Sequence, residues 1–207
     1  MLRHRPLKNR QKKLLSFGLK SSILLRKLKL EELNRPGVDQ YKEYKKIPVV
    51  IVLEDIRSLS NIGAIFRTAD AFIIEAIYLV GITACPPHRE IQKTALGATE
   101  SVDWLHFQST EKCIEQLRTK EYRIFAVEQT EKSKQIDEAL NESGKGFALI
   151  LGNEVEGVQQ STINQCDGSI EIPQFGTKHS LNVSVCAGII MYEFMQHYLN
   201  LASAETV

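Results

Sequence analysis

The 207-residue sequence has only four cysteines, Cys85, Cys113, Cys166 and Cys186; none forms a C-x-x-C pair or has a histidine at metal-ligand spacing. A disulfide framework and a zinc site are excluded as organising devices, and no metal is expected. No run reaches the ~18 consecutive apolar residues that a membrane span requires, and the opening residues lack the apolar stretch and small-residue cleavage site of a secretory signal. These absences predict a cytoplasmic protein with no membrane partner. The Gly-x-Gly-x-x-Gly fingerprint is also missing, which argues against a dinucleotide-binding enzyme. Net charge is nearly absent, at +1.

What is present is an uneven division of that charge. Residues 1–46 carry 14 Lys+Arg against 4 Asp+Glu, whereas the other 161 carry 12 against 21. A basic arm of this kind suits a polyanion, because neutralised phosphates release counterions. A solvated helix face and an Arg-rich transit peptide are the blander readings. Leu14, Leu15, Leu19, Leu24, Leu25, Leu28 and Leu33 recur at helical spacings over 11–33, which predicts one or two amphipathic helices before the Pro-Gly turn signal in 34–39. The chain thus divides into a basic helical arm, 1–46, and a domain, 47–207.

From Pro48 onward, β-rich runs alternate with helix-compatible stretches. The runs are VVIVL (49–53), AIYLVG (76–81), RIFAVE (123–128), FALILG (147–152) and GSIEIP (168–173). The helical stretches lie near 60–72, 88–98, 110–119, 133–140 and 180–199. Continuous apolar strands between helices predict an α/β domain, a mainly parallel sheet with helices on both faces. Its ligand sites belong at the carboxyl ends of the strands.

Three segments interrupt the core pattern with polar groups. In LEDIRSLSNIGAIFRTADAF (53–72), Asn61 reads as a helix cap or a functional amide, and Gly63 as a point where backbone approaches a ligand. Arg67 reads as a site residue or as a surface charge paired with Asp70 or Glu54. In LILGNEVEGV (149–158), Gly152 ends a buried strand where amides can cradle a polar group, and Glu154 is either functional or the cap of a following helix. In IEIPQFGTKHSLNVSVCAGIIMYEF (170–194), Ser180, Asn182 and Ser184 fall in the first turns of an apolar helix, where amides bind anions and Ser or Asn caps. His179 reads as a loop hydrogen-bonding group.

In this order and at these intervals, NIGAIFRTADAF, LILGNEVEGV and IPQFGTKHSLNVSVCAGI resemble the signature motifs of the SpoU (TrmH-like) family of RNA ribose 2′-O-methyltransferases, within the SPOUT superfamily. The resemblance covers about residues 49–195. It implies a SPOUT-type α/β fold with a C-terminal trefoil knot, a topology that ordinary connection rules disfavour. It also implies S-adenosylmethionine as methyl donor, RNA (tRNA or rRNA) as acceptor, and a homodimer whose site is completed across the interface. By motif position, Glu128, Gly152, Ile172, Leu181 and Asn182 become candidate cofactor contacts. Asn61, Arg67, Glu154, Ser180 and Asn182 become candidate catalytic residues around the reacting ribose.

In such a reaction a 2′-hydroxyl displaces a methyl group from a sulfonium in line, so the protein must align the partners and dispose of a proton; no metal is needed. The family proposal makes the arginine at the position of Arg67 the base. A guanidinium pKa above about 12 favours a fixed positive charge that holds the adjacent phosphate. Ser58-Leu59-Ser60 stands where many members have Asp-Pro. The 46 residues before the core are too few for the separate substrate-binding domain of many ribosomal members, so the arm is assigned to RNA positioning, a build similar to tRNA-modifying members. A noncatalytic RNA-binding protein that retains the knot is the alternative, disfavoured by the complete polar set.

Overall fold

The computed structural model describes residues 26–204. The helices expected over 11–33 lie outside them as far as residue 25. The chain divides into two compact units after Arg35. In the described part of the first, Leu30–Leu33 forms a single 3-10 turn, and the Arg26 guanidinium donates to both oxygens of Glu32 at 2.7 and 3.0 Å. The second unit, Pro36–Val207, holds the elements described below.

Along the second unit run α1 (Val38–Lys42), β1 (Ile47–Glu54), α2 (Leu59–Ala71), β2 (Ile74–Val80), α3 (Arg89–Ala95), α4 (Ala98–Ser101) and β3 (Asp103–Phe107). They are followed by α5 (Thr110–Thr119), β4 (Tyr122–Val127), α6 (Ile136–Leu140), β5 (Gly146–Leu151), α7 (Gln160–Ile163), β6 (Gly168–Ile170) and α8 (Val183–Ala204). The strands form one sheet in the order β3-β2-β1-β5-β4-β6, and every neighbouring pair is parallel. This is the α/β architecture the sequence predicts.

Its origin is visible in β1. Successive side chains of a strand point to opposite faces, so Val49, Ile51 and Leu53 enter one core and Val50 and Val52 the other. Helices cover both. The first core takes Ile62, Ile65, Phe66 and Ala69 from α2 and Ala187, Ile190, Met191 and Phe194 from α8. The second takes Cys113, Ile114 and Leu117 from α5. Each set follows the 3.6-residue period of a one-sided helix, and each large side chain so buried contributes roughly 1.5–3 kcal/mol.

Several boundaries differ from expectation. The helix expected at 88–98 is two, α3 and α4, because Leu96 (φ 49) and Gly97 (φ 90) turn left-handed between them. Strand β6 stops at Ile170, and α8 starts at Val183 rather than near residue 180. Elements α1, β3 and α7 have no counterpart in the sequence reading.

Because all six strands run one way, their carboxyl ends gather on one edge of the sheet. There the carboxylate of Glu54, 1% exposed, accepts hydrogen bonds from Thr110 Oγ1 (2.6 Å), Thr162 Oγ1 and the Gln159 N–H (3.0 Å). One buried acid thereby ties the end of β1 to the starts of α5 and α7.

Candidate active site

After Leu151 the chain leaves β5 through a tight turn. Asn153 Oδ1 accepts from the N–H groups of Val155 and Glu156, both at 2.9 Å, and the Asn153 carbonyl accepts from the Gly157 N–H at 3.0 Å. An asparagine that folds its own backbone in this way makes a turn, not a helix start. Glu154 is therefore no helix cap, since α7 begins only at Gln160. Gly157 has φ +70, and a Cβ there would collide with Glu128 Oε2; a Cβ on Gly152 would collide with the Gly157 backbone. Glu128 Oε2 accepts from the Val158 N–H (3.0 Å) and its Oε1 from the Gln129 N–H (2.9 Å). The residue following β4 thus clamps the turn that follows β5.

Beside this turn lies a cavity of about 470 Å³, bounded also by the exit of β6 and by residues 179–183. All five candidate cofactor contacts line it: Glu128, Gly152, Ile172, Leu181 and Asn182. Of the candidate catalytic residues, Glu154, Ser180 and Asn182 do so as well. The volume lies within the ~300–1,000 Å³ of small-molecule sites.

Asn61 reaches this group from α2. Ser58 is the cap of that helix, its Oγ accepting from the Asn61 N–H at 3.3 Å, so the Asn61 side chain is free for other work. Asn61 Nδ2 donates to Glu154 Oε1 at 3.0 Å, and Asn182 Nδ2 donates to Asn61 Oδ1 at 3.2 Å. Asn182 Oδ1 in turn accepts from the Ser184 N–H (2.9 Å) and Oγ–H (2.6 Å), capping α8. The direction of this chain follows from its charged end. An ionised carboxylate only accepts, so Asn61 must turn its amino group toward Glu154 and its oxygen toward Asn182, whose own oxygen then faces the helix.

Electrostatics agree with that assignment. Burial works against ionisation of Glu154, but the Asn61 amide and the N–H groups of Glu154, Arg57 and Ser58 outweigh it, and the carboxyl sits below the usual range. Cys186, also on the cavity wall, is the converse: burial, then the Glu128 charge, push its thiol up to about 11, so it stays neutral.

Arg67 stands apart. It is exposed on α2, lines no part of the cavity, and its side chain has no hydrogen bond or ion pair with any described residue. Neither suggested pairing forms, because Asp70 accepts from Ser101 and Glu54 is engaged by its two threonines and Gln159. Gly63 is buried against Ile91 and Thr94 of α3, so its missing side chain serves helix contact and not a ligand. Asn153 and Gly157 are the members of the site that sequence reasoning did not single out. Their signal was an asparagine directly after a glycine-ended strand and a second glycine four residues on.

Among the described residues, no group of His, Cys, Asp or Glu is placed to hold a metal ion, and no helix is long and apolar enough to cross a membrane.

Comparison with known proteins adds four findings. The model of the SpoU rRNA Methylase family matches residues 48–192. The chain is 31% identical over 155 residues to the 23S rRNA (guanosine-2'-O-)-methyltransferase RlmB of Neisseria meningitidis serogroup B, covering 75% of this chain and 61% of that protein. Among solved structures, an AdoMet-bound rRNA methyltransferase from Sinorhizobium meliloti shares 25% identity and a TM-score of 0.67, over 76% of this chain and 60% of that one. The A. aeolicus TrmH/SpoU tRNA modifying enzyme shares the fold, with a TM-score of 0.70 at 23% identity over 80% of this chain and 82% of that one. The chain thus spans less than two thirds of the length of the Neisseria and Sinorhizobium proteins.

Proposed function

The chain belongs to the SpoU rRNA Methylase family, and we propose that it transfers a methyl group from S-adenosylmethionine to a ribose 2′-hydroxyl of RNA. The observation that carries this reading is the hydrogen-bonded series Glu154–Asn61–Asn182 at the wall of the 470 Å³ cavity.

The cavity suits the cofactor that the Sinorhizobium relative binds. Leu151, Ile170, Ile172 and Leu181 supply apolar walls, the turn from Gly152 to Gly157 supplies peptide groups, and the carboxylates of Glu128 and Glu154 would suit a cationic cofactor. Bound there, S-adenosylmethionine contributes a methyl group already activated by its positively charged sulfur. The protein's part is alignment and charge. Ionised Glu154 fixes Asn61, Asn61 fixes Asn182, and each amide retains a second N–H to orient the ribose hydroxyls, with Ser180 on the same wall. Arg67, having no partner among the described residues, keeps its planar fork available for the phosphate next to the target ribose and for the developing alkoxide. The hydroxyl proton leaves to that phosphate or to water.

Two further parts of the reading rest on an exposed face of α8 and on the charge of the sequence. Val185, Ile189 and Tyr192 are 51%, 36% and 46% exposed, and their i, i+4, i+7 spacing puts them on one side of α8. A second copy of the chain is the proposed cover, and sedimentation of the wild type against Val185→Asp tests it by a shift from dimer to monomer. The basic segment 1–46 is assigned to RNA positioning.

The central test is transfer of labelled methyl from S-adenosylmethionine to total tRNA and, separately, to rRNA, with Arg67→Ala as control. Label that makes one position resistant to alkaline cleavage and disappears in the variant supports ribose methylation. Absence of both cofactor binding and transfer would sink it.

A further inference from the structure

A second cavity, of about 400 Å³, adjoins the first and shares Gln129, Glu171, Ile172, Gln174 and His179 with it. Its outer wall is Phe175, a residue 97% exposed, together with Lys178. An aromatic ring so completely in water gains nothing from burial, and it makes no ring contact among the described residues. The side-chain amides of Gln129 and Gln174 and the Lys178 ammonium have no hydrogen-bond or ionic partner among the described residues. Glu171 accepts only a long 3.4 Å hydrogen bond from Gln135 Nε2.

We propose that this groove receives one unstacked base of the RNA, stacked on Phe175, a subsite that rests on the RNA methyltransferase reading above. Each component matches one part of a nucleotide. Base–aromatic stacking is how proteins hold single-stranded bases, and single-stranded nucleotides in RNA are read on their Watson–Crick edges by hydrogen-bonding side chains. Gln129 and Gln174 offer both donors and acceptors, Lys178 matches a phosphate, and the Glu171 carboxylate accepts only, which favours a base with an exocyclic amine over uracil. The groove is continuous with the proposed cofactor cavity, so a base held in it lies beside the site of methyl transfer.

The test uses the full chain with Phe175 changed to Ala, Leu or Trp, and with Glu171→Gln. RNA affinity is read by fluorescence anisotropy on fluorescein-labelled total tRNA and on labelled ten-residue oligoadenylate, oligocytidylate and oligouridylate at fixed salt. S-adenosylmethionine affinity is read by calorimetry and assembly state by sedimentation. Phe175→Ala and Phe175→Leu are expected to weaken RNA binding at least about tenfold, with Phe175→Trp restoring it, cofactor affinity unchanged within about twofold and sedimentation unaltered. Glu171→Gln is expected to remove the preference for oligoadenylate and oligocytidylate over oligouridylate. Equal RNA affinity in wild type and Phe175→Ala overturns the proposal, as does failure of the wild type to bind any of these RNAs. A change of assembly state in Phe175→Ala also overturns it, because the ring would then belong to a contact with a second copy. Loss of cofactor binding in the wild type is a separate outcome that strikes the methyltransferase reading itself.

Discussion

Replacing Glu154 with glutamine keeps the shape of the side chain and removes its charge. In the native site the carboxylate accepts from Asn61 Nδ2 at 3.0 Å and from neighbouring backbone N–H groups. A hydrogen bond to a charged group contributes about 1.5–3 kcal/mol against about 0.5–1.5 for a neutral one. Glu154 is open to solvent on one side, so screening holds the loss of stability to about 1 kcal/mol or less, a Tm decrease of about 2–4 °C. The effect on turnover is larger. Glutamine can present an amino group to Asn61, which then has no reason to keep its oxygen toward Asn182, and the series loses its single direction. A decrease in kcat of about tenfold, ~1.4 kcal/mol, is expected with cofactor affinity little changed.

A double-mutant cycle sharpens this test. Asn61→Ala combined with Glu154→Gln should show a coupling of about 1 kcal/mol in kcat/KM, because the two side chains act through one hydrogen bond. The pH response has a definite sign. The folded-state pKa of Glu154 is depressed, so its contribution to stability is complete above the unfolded value of about 4.3 and is lost as pH falls through the lower folded value. Wild type and Glu154→Gln should therefore differ in stability at neutral pH and converge once the pH has fallen through the depressed folded-state value. Unchanged kcat in Glu154→Gln, with effects additive to within about 0.5 kcal/mol, would refute the reasoning.

Gly157→Ala forces a side chain into a position with φ +70 and into Glu128 Oε2; calorimetry should show S-adenosylmethionine affinity at least about tenfold weaker, from strain of ~1–2 kcal/mol and loss of the clamp. Glu54→Ala leaves the donors of Thr110, Thr162 and Gln159 without their acceptor. At ~1–3 kcal/mol per stranded donor, offset by the carboxylate's own desolvation, the net loss is about 3 kcal/mol, read as a Tm lower by about 6–12 °C. Arg67→Lys keeps the charge but not the fork, so methyl transfer should fall at least about tenfold with Tm unchanged; near-full turnover would show that a point charge suffices.

The centre of the sheet was legible because VVIVL and FALILG are apolar at every position, the mark of strands buried on both faces. Strand β3 was not, since Asp103–Phe107 is an edge strand paired only with β2 and keeps Asp103, Leu105 and His106 exposed. Helix α1 was hidden behind the Pro-Gly signal, which marks where a chain turns but not what the five residues directly after it do. At the site, the three motifs supplied Asn61, Glu154 and Asn182 through family resemblance. Their contacts join residues 93 and 121 positions apart and depend on which strands lie side by side. Local pattern has no access to that, nor to the solitary position of Arg67 or the bare ring of Phe175.

The pairing of β1 with β5 also matters before the fold exists. Val49 finds Phe147 about 100 residues later in the chain, and at a synthesis rate of ~5–20 residues per second that edge of β1 waits on the order of 5–20 s for its partner. During that interval IPVVIVLE, a β-prone and mostly apolar stretch, presents unpaired N–H and C=O groups to any other nascent chain. Lys45 and Lys46 stand just before it, Pro48 cannot donate to a ladder, and Glu54 closes it with a charge. These residues act as gatekeepers against aggregation during synthesis, and Glu54 exchanges that task for its buried hydrogen bonds once the sheet is complete.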